Sequence, residues 1–586
     1  MHSYQGRVLR VNLGENNAQA EPLNMDWAAQ YLGGKGLGIK YLYEEVPAGT
    51  DPLSERNKLI LMTGPFTGTV VPCSGKLAII SRSPATGTIL DCSIGGHFAG
   101  ELKFAGYDAV ILEGKAAKPA YLYIEDDEAR LLDAGELWGL GAHRAEDVLR
   151  EKHGPEAKAL VIGPAGENLV PMACISSEYY RQAGRGGIGA VMGSKNLKAV
   201  VIKGAKGLRV TNAERLLERL QEIMHQDTLT EDNLWAYTDG TPMIVELSQT
   251  TGILPTHNFQ DGNFPGFESI NADAIREARV GKRACVSCAL GCGNFTRRGA
   301  SVVEGPEYET LALCGSNCGI ADLEAIIAFN KACDDLGLDT ISVGNVTALA
   351  MEMAEKGIHD FGLRFGDIQS YLEVPGKIAV REGIGADLAL GAKGLARRYG
   401  GEDMAMQVKG LEFPGYEPRG SWSMGLAYAT SDRGACHMRA WPVANEAYGD
   451  LDPFTSEGKA QLVVELQHYN AVKFSTILCD FWALSLDTLA EILTLVTGKT
   501  FSTTDLEKIG ERTVNIARLF NVREGFTAKD DTLPERVFKD ALKTGPTAGR
   551  LLPRAEYDKM LKEYYILRGW QEDGKPTQEK MQELGL

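Results

Sequence analysis

The feature that most limits how this chain can fold is a change of hydrophobic period near residue 210. Before it, apolar residues come in short runs of strand length; after it, they recur at helical spacing. Leu9, Val11 and Leu13 alternate with Arg10 and Asn12, and short apolar runs follow at 59–62, 77–80, 109–112, 121–124 and 200–202. Gly-Pro pairs at 64–65 and 163–164 punctuate these runs, and helix-like stretches between them are few. Beyond 210, Thr211 and Glu214 form a capping-box pattern ahead of Leu216, Leu217 and Leu220. Residues 321–356 and 502–520 are further amphipathic candidates, the second opened by Ser502 and Asp505. A softer boundary precedes the Gly- and Pro-containing stretch 410–420. The pattern predicts an α+β chain: a β-rich domain over 1–210, then two mainly helical domains over 211–406 and 407–586. A length of 586 residues suits three to four domains at roughly 150 residues each. No internal repeat, low-complexity segment or long linker is visible.

Charge excludes one class of partner. The net charge is −17, whereas a nucleic-acid backbone calls for clustered Lys and Arg. No apolar run approaches the roughly 20 residues of a membrane span, and the N-terminus has no apolar signal core. A soluble, cytoplasmic protein is expected. Its 11 cysteines are an odd number without small-scaffold spacing, which fits reduced thiols and a metal site better than a disulfide framework.

Three of those cysteines stand together. Cys285-Val-Ser-Cys288-Ala-Leu-Gly-Cys292 is a C-x2-C-x3-C run. Thiolates are soft ligands for iron–sulfur clusters and for zinc, and a turn of this spacing lets several converge on one cluster. Gly291 and Gly293 allow the backbone to wrap closely. A four-iron site needs one more ligand, for which Cys314, Cys318, Cys333, Cys436 and Cys479 are candidates that spacing does not separate. A structural zinc site is the competing reading.

Two glycine-rich stretches are candidate ligand loops. Gly184-Arg-Gly186-Gly-Ile-Gly189 satisfies G-x-G-x-x-G, but no buried strand precedes it and no acid stands near residue 209, so a dinucleotide site is not expected. Its amides, with Arg181 or Arg185, instead suit a phosphate. Ser93, Gly95 and Gly96 open a second stretch that permits close backbone approach to a ligand.

Taken together, the chain resembles the tungsten-containing aldehyde:ferredoxin oxidoreductase family along essentially its whole length. The matching segments include Gly6-Arg-Val-Leu-Arg-Val-Asn-Leu13, Gly163-Pro-Ala-Gly-Glu-Asn168, Ala183-Gly-Arg-Gly-Gly-Ile-Gly189, Glu304-Gly-Pro-Glu-Tyr-Glu309, Asp334-Asp-Leu-Gly-Leu-Asp339, Arg433-Gly-Ala-Cys-His437 and Leu567-Arg-Gly-Trp570. The resemblance implies one tungsten held by the sulfurs of two pterin dithiolenes, with molybdenum the lesser alternative, and a β-rich base beneath two helical domains. It implies Cys479 as the fourth ligand of one 4Fe-4S cluster. One pterin would be met by Asp334, Gly337, Leu338, Asp339 and Thr340, the other by Arg439, Leu478 and the segment around Phe474. Ser93, Gly95, Gly96, Arg181, Gln182, Ala183 and Gly184 would face the phosphate ends, bridged by Mg2+. Glu309 would be general base, His437 hydrogen-bond donor to the substrate oxygen, and Tyr308 a further wall.

Three departures stand out. The family's second pterin motif, Asp-x-x-Gly-Leu-Cys, is Phe474-Ser-Thr-Ile-Leu-Cys479 here. A family arginine between pterin and cluster is Lys76, which keeps the charge but not the planar fork. A Glu-x-x-His pair that bridges subunits through a metal in some members is Ala328 and Lys331. The expected reaction is aldehyde plus water to carboxylic acid, with electrons passed through the cluster to a ferredoxin or a dedicated iron–sulfur subunit, with or without a flavin subunit, in an oligomer or complex. The alternatives are an enzyme of the same fold that reduces aromatic acyl-CoA, and, in a different class, a non-catalytic electron-transfer or zinc-stabilised subunit.

Overall fold

The computed structural model describes residues 1–299 and 301–586. The first two hundred residues build two six-stranded sheets. The first contains β1 (Arg7–Asn12), β2 (Asn17–Pro22), β3 (Leu59–Met62), β4 (Leu77–Arg82), β5 (Ile89–Ile94) and β6 (Ala109–Glu113), in the order β2-β1-β6-β3-β4-β5. The second contains β7 (Ala120–Glu125), β8 (Glu128–Asp133), β9 (Lys158–Val161), β10 (Ile175–Ser177), β11 (Arg181–Ala183) and β12 (Leu197–Lys203). Its order, β8-β7-β12-β9-β10-β11, repeats the first with every strand advanced by six. Each sheet has one parallel pair, β1 with β6 and β7 with β12, among otherwise antiparallel neighbours. The base is therefore a topological duplicate. No long sequence repeat announces it, because strand order can be kept while strand lengths and side chains diverge: β4 and β5 have six residues each, β10 and β11 three.

Apolar side chains of both sheets, among them Leu61, Ile79, Val110, Leu122, Leu160 and Val200, share one core with the helices Phe98–Phe104 and Ile188–Ser194. The edge strands β5 and β11 lie against each other. The two glycine stretches, 93–96 and 182–187, thus begin at equivalent places in the two halves.

The β-rich half holds more helix than its texture suggests. Gly34–Glu45 is a 12-residue helix whose glycines disguise it. They are there for contact: a Cβ on Gly38 would lie 2.3 Å from Ile80 Cδ1, and one on Gly34 would lie 2.1 Å from the Phe474 carbonyl oxygen. Glycines at 33, 34 and 64 let the base press against the backbone of residues 474–476 from the far end of the chain, and Gly36 admits the Ser475 hydroxyl.

The remainder is mainly helical, as the period change predicts. The 321–356 candidate is two helices, Leu323–Leu336 and Thr340–Glu355, separated at Gly337, whose φ of +72° closes the first. Asp322 and Asp339 cap their N-termini. Ser502 and Asp505 form the expected capping box of Thr503–Arg523. At the other predicted start the cap is Asn212, not Thr211, ahead of Ala213–Ile223. One continuous core runs across residue 407, joining Leu349 and Leu395 to Phe413, Leu426 and Val463. Among the described residues no single helix is long and apolar enough to cross a membrane.

Candidate active site

Glu309 and His437 meet where the two helical regions come together. Glu309 sits on the turn Tyr308–Thr310, and its Oε2 accepts a hydrogen bond from the Gly415 amide at 2.8 Å. Its Oε1 is buried without a hydrogen bond, 3.7 Å from His437 Nε2. His437 Nδ1 is also buried and unpartnered. A carboxylate kept for structure alone would be satisfied; this one has an oxygen to spare beside an imidazole with a nitrogen to spare. Burial pushes the Glu309 carboxyl up to about 8, against the Gly415 amide, which lowers it. Burial, with Arg185 and Arg433 adding to it, holds His437 down to about 3. At neutral pH the imidazole is neutral and the carboxyl is close to its titration point, so the contact is not an ion pair.

Tyr308 is buried and tied down. Its hydroxyl contacts Ser248 Oγ at 2.7 Å and donates to the Gly415 carbonyl, and Ser248 Oγ reaches the Tyr448 hydroxyl at 2.6 Å. Tyr416 packs between Tyr308, His437 and Trp441, with ring centroids 5.2, 5.7 and 5.9 Å away. Sequence reasoning missed Ser248, Tyr416, Trp441 and Tyr448, which have no motif of their own.

Residues 334–340 are stitched to the second half of the base. Cys174 N–H donates to the Gly337 carbonyl at 2.8 Å, Asp339 N–H donates to Met172, and Leu338 bridges Ala173. Asp334 accepts from Gln182 Nε2 at 3.2 Å and from Asn330 Nδ2 at 3.1 Å, and burial raises its carboxyl well above the ordinary range. Asp339 caps its helix at the Ile341 amide and accepts from Ser342 Oγ at 2.8 Å. Thr340 Oγ1 meets Thr310 Oγ1 at 2.9 Å. Of the two loop arginines, Arg185 is committed inward, to the Ala435 and Glu412 carbonyls and Asp339. That removes it as a phosphate arm. Arg181 is ion-paired with Glu304, its Nη2 lying 2.9 Å from Oε1, but its Nε has no hydrogen-bond partner. Ser93, Gly95 and Gly184 keep an accessible face, and a Cβ on Gly184 would meet nothing within 4 Å.

Residues 474–479 lie against the first half. Phe474 is buried, with the Arg439 guanidinium 6.0 Å from its ring centre. Arg439 bonds Asp432 at 2.8 Å and also Asp91, and Lys35 bridges the same two acids. The Leu478 side chain is buried in the core formed with Val472 and Trp482. Lys76 pairs with Asp480, which follows Cys479. The Ala328 and Lys331 positions line an open pocket with His143, Asp147 and Asp335.

The segments that carry Cys285, Cys288, Cys292 and Cys479 meet at the main chain of residue 73, which donates to the Ser287 carbonyl at 2.8 Å and accepts from the Cys479 N–H at 2.9 Å. A fifth cysteine that spacing did not flag, Cys73, places its sulfur 3.9 Å from Cys288 Sγ. The other candidates, Cys314, Cys318, Cys333 and Cys436, are fully buried elsewhere. Among the described residues no three His, Cys, Asp or Glu side chains are arranged around a single metal ion. The surroundings do fit a larger inorganic group. A Cβ on Gly95 would lie 2.7 Å from Cys285 Sγ, one on Gly75 would lie 2.6 Å from Val286 Cγ1, and the unpartnered Arg181 Nε is near Cys285 and Cys292.

Comparison with known proteins places this arrangement. The family model for the N-terminal domain of aldehyde ferredoxin oxidoreductase matches residues 8–204, and that for its domains 2 and 3 matches 215–586. The tungsten-containing aldehyde ferredoxin oxidoreductase of Pyrococcus furiosus is 41% identical, over 100% of this chain and 99% of that protein. Its counterpart in Thermococcus kodakarensis is 39% identical over the same shares. The WOR-like subunit of aliphatic sulfonate oxidoreductase of P. furiosus is 30% identical, over 100% of this chain and 97% of that subunit. In three dimensions the chain superposes on the BamBC active-site complex of benzoyl coenzyme A reductase with a TM-score of 0.86, at 24% identity, covering 100% of this chain and 97% of that one. That likeness shows the fold. Family membership implies the use of tungsten–pterin and iron–sulfur cofactors, and the chain belongs to the tungsten-containing aldehyde ferredoxin oxidoreductase family of oxidoreductase enzymes.

Proposed function

We propose that this chain oxidises an aldehyde with water to a carboxylic acid, releasing two protons and two electrons. The observation that carries the reading is the Glu309–His437 pair, a carboxyl and an imidazole 3.7 Å apart, each with a buried atom left open. A tungsten held by two pterin dithiolenes supplies the two-electron acceptor that no side chain offers. Residues 334–340 would hold one pterin through carboxyl and amide groups; Arg439, Leu478 and the segment around Phe474 would hold the other. Ser93, Gly95, Gly96, Arg181, Gln182, Ala183 and Gly184 would face the phosphate ends and their Mg2+.

Glu309 Oε1 takes the proton from water or from the hydrated aldehyde. His437, neutral near pH 7, donates one ring N–H to the substrate oxygen as negative charge builds there. Tyr308, fixed through Ser248 and Gly415, and Tyr416 exclude water from one side. Cys285, Cys288, Cys292 and Cys479 would hold a 4Fe-4S cluster beside Lys76, which would supply a one-electron exit toward a ferredoxin or an iron–sulfur subunit.

Glu309→Gln keeps the shape and removes the base. It is expected to lower kcat for aldehydes at least about 100-fold with tungsten content unchanged by metal analysis. In the parent enzyme kcat/KM should rise with pH and level off above about 8, because only the deprotonated carboxyl accepts a proton. Full activity of the variant with a panel of aliphatic and aromatic aldehydes would end the assignment.

A further inference from the structure

The cluster reading leaves one cysteine without a task. Cys73 is 2% exposed and belongs to the β-rich base, far in sequence from the C-x2-C-x3-C run. Its main chain joins the two segments that carry the proposed ligands. Its N–H donates to the Ser287 carbonyl at 2.8 Å, and its carbonyl accepts from the Cys479 N–H at 2.9 Å. Its φ of +58° is left-handed, so the residue is held there by its surroundings. The side chain faces the Ala289 amide and has Cys479 near it, and its thiol donates to Cys288 Sγ at 3.9 Å. The Cys288 sulfur also faces the Leu290 and Gly291 amides. Three donors converge on one sulfur, and that sulfur is the one the spacing motif makes a ligand.

We propose that Cys73 is not a cluster ligand but a thiol that donates a hydrogen bond to the Cys288 ligand sulfur and raises the reduction potential of the cluster. The inference rests on the cluster reading above. Hydrogen bonds to ligand sulfurs are one of the protein's means of setting such potentials, because they stabilise the more negative, reduced cluster. A thiol is a weak donor, so the effect is a tuning. It adjusts how readily electrons leave for the acceptor and plays no part in the chemistry at Glu309.

The test is an EPR-monitored redox titration of the anaerobically purified holoenzyme, with iron analysis, for the parent, Cys73→Ala and Cys73→Ser. Both substitutions keep the backbone hydrogen bonds that join the two ligand segments. In Cys73→Ala all four irons should remain. The reduced-to-oxidised ratio at the parent's midpoint should fall about threefold to tenfold, equivalent to about 30–60 mV at 59 mV per decade for one electron. Cys73→Ser, which keeps a donor, should recover part of that shift. An unchanged midpoint with full iron in Cys73→Ala, or in Cys73→Gly (which also lacks a donor and suits the left-handed backbone) should the alanine variant not fold, overturns the tuning role. Loss of iron makes Cys73 a ligand and overturns it too. Absence of a four-iron signal from the parent overturns the cluster reading itself, which separates that failure from the other two.

Discussion

Residues 334–340 and residues 474–479 occupy matching stations, each fastened to one half of a duplicated base, yet they are chemically opposed. The first is fastened to the second sheet by main-chain bonds at Met172, Ala173 and Cys174 and presents two buried acids, Asp334 and Asp339. The second is pressed on the first half by glycines and presents a phenyl ring, with its charges set back in a closed quartet of Lys35, Asp91, Asp432 and Arg439. If each station holds one pterin, as proposed, the duplicated scaffold would fix where two like ligands sit without fixing how they are recognised. One station keeps the family's acids; the other has lost its acid to Phe474 and meets Arg439 instead.

The largest disturbance should come from opening the quartet. Arg439→Met leaves Asp91 and Asp432 buried with Lys35 alone, and breaking such a set costs about 3–5 kcal/mol. A denaturant titration should show that loss, and a loss below about 1 kcal/mol would mean that water already reaches the acids. Next comes the glycine contact. Gly34→Ala places a methyl against the Phe474 carbonyl and the Ile477 side chain at a φ of +40°, an overpacking cost of about 1–3 kcal/mol. It should lower pterin and tungsten content as well as Tm, because the 474–479 segment has to move.

The smallest effect is expected at the acidic station. Burial raises the Asp334 carboxyl well above its ordinary range and so favours its neutral form; Asp334→Asn should therefore stay within about 1 kcal/mol of the parent at pH 5. The sign of its pH dependence is set by the raised folded pKa. The carboxyl adds stability at low pH, below the ordinary Asp value, and that stability is lost as pH rises toward the folded value. Asp432 behaves oppositely. Burial pushes its carboxyl up, but Arg439 and Lys35 outweigh this and hold it low, so its contribution is lost only in acid. Denaturation midpoints from pH 5 to 8 should therefore decline less in Asp334→Asn than in the parent. A parallel decline would show Asp334 ionised in the fold.

Local chemistry was legible and global arrangement was not. The C-x2-C-x3-C run can be read because its spacing and its function lie within eight residues. Glu309 and His437, more than a hundred residues apart, became a pair only through family resemblance. The strand-rich texture of the first half was visible in its period-two runs, but Gly34–Glu45 was hidden, because glycines chosen for close approach look like loop. Cys73 gave no signal, since nothing near it in sequence is a ligand and its role depends on residues 287, 288 and 479. The duplicated strand order was hard to see because its echoes are short: a Gly-Pro pair after β3 and after β9, and an Ala-Val pair in β6 and in β12.

The fastening of residues 474–479 to the base also sets an order of events during synthesis. Three of the proposed cluster ligands leave the ribosome by residue 292, while the fourth follows nearly two hundred residues later. At about 5–20 residues per second that is a wait of roughly 10–40 s. Throughout it the first three thiols lack the fourth. Iron inserted in that interval would find an incomplete cage, so maturation is expected to wait for the finished chain, and the far end of the polypeptide serves as its checkpoint.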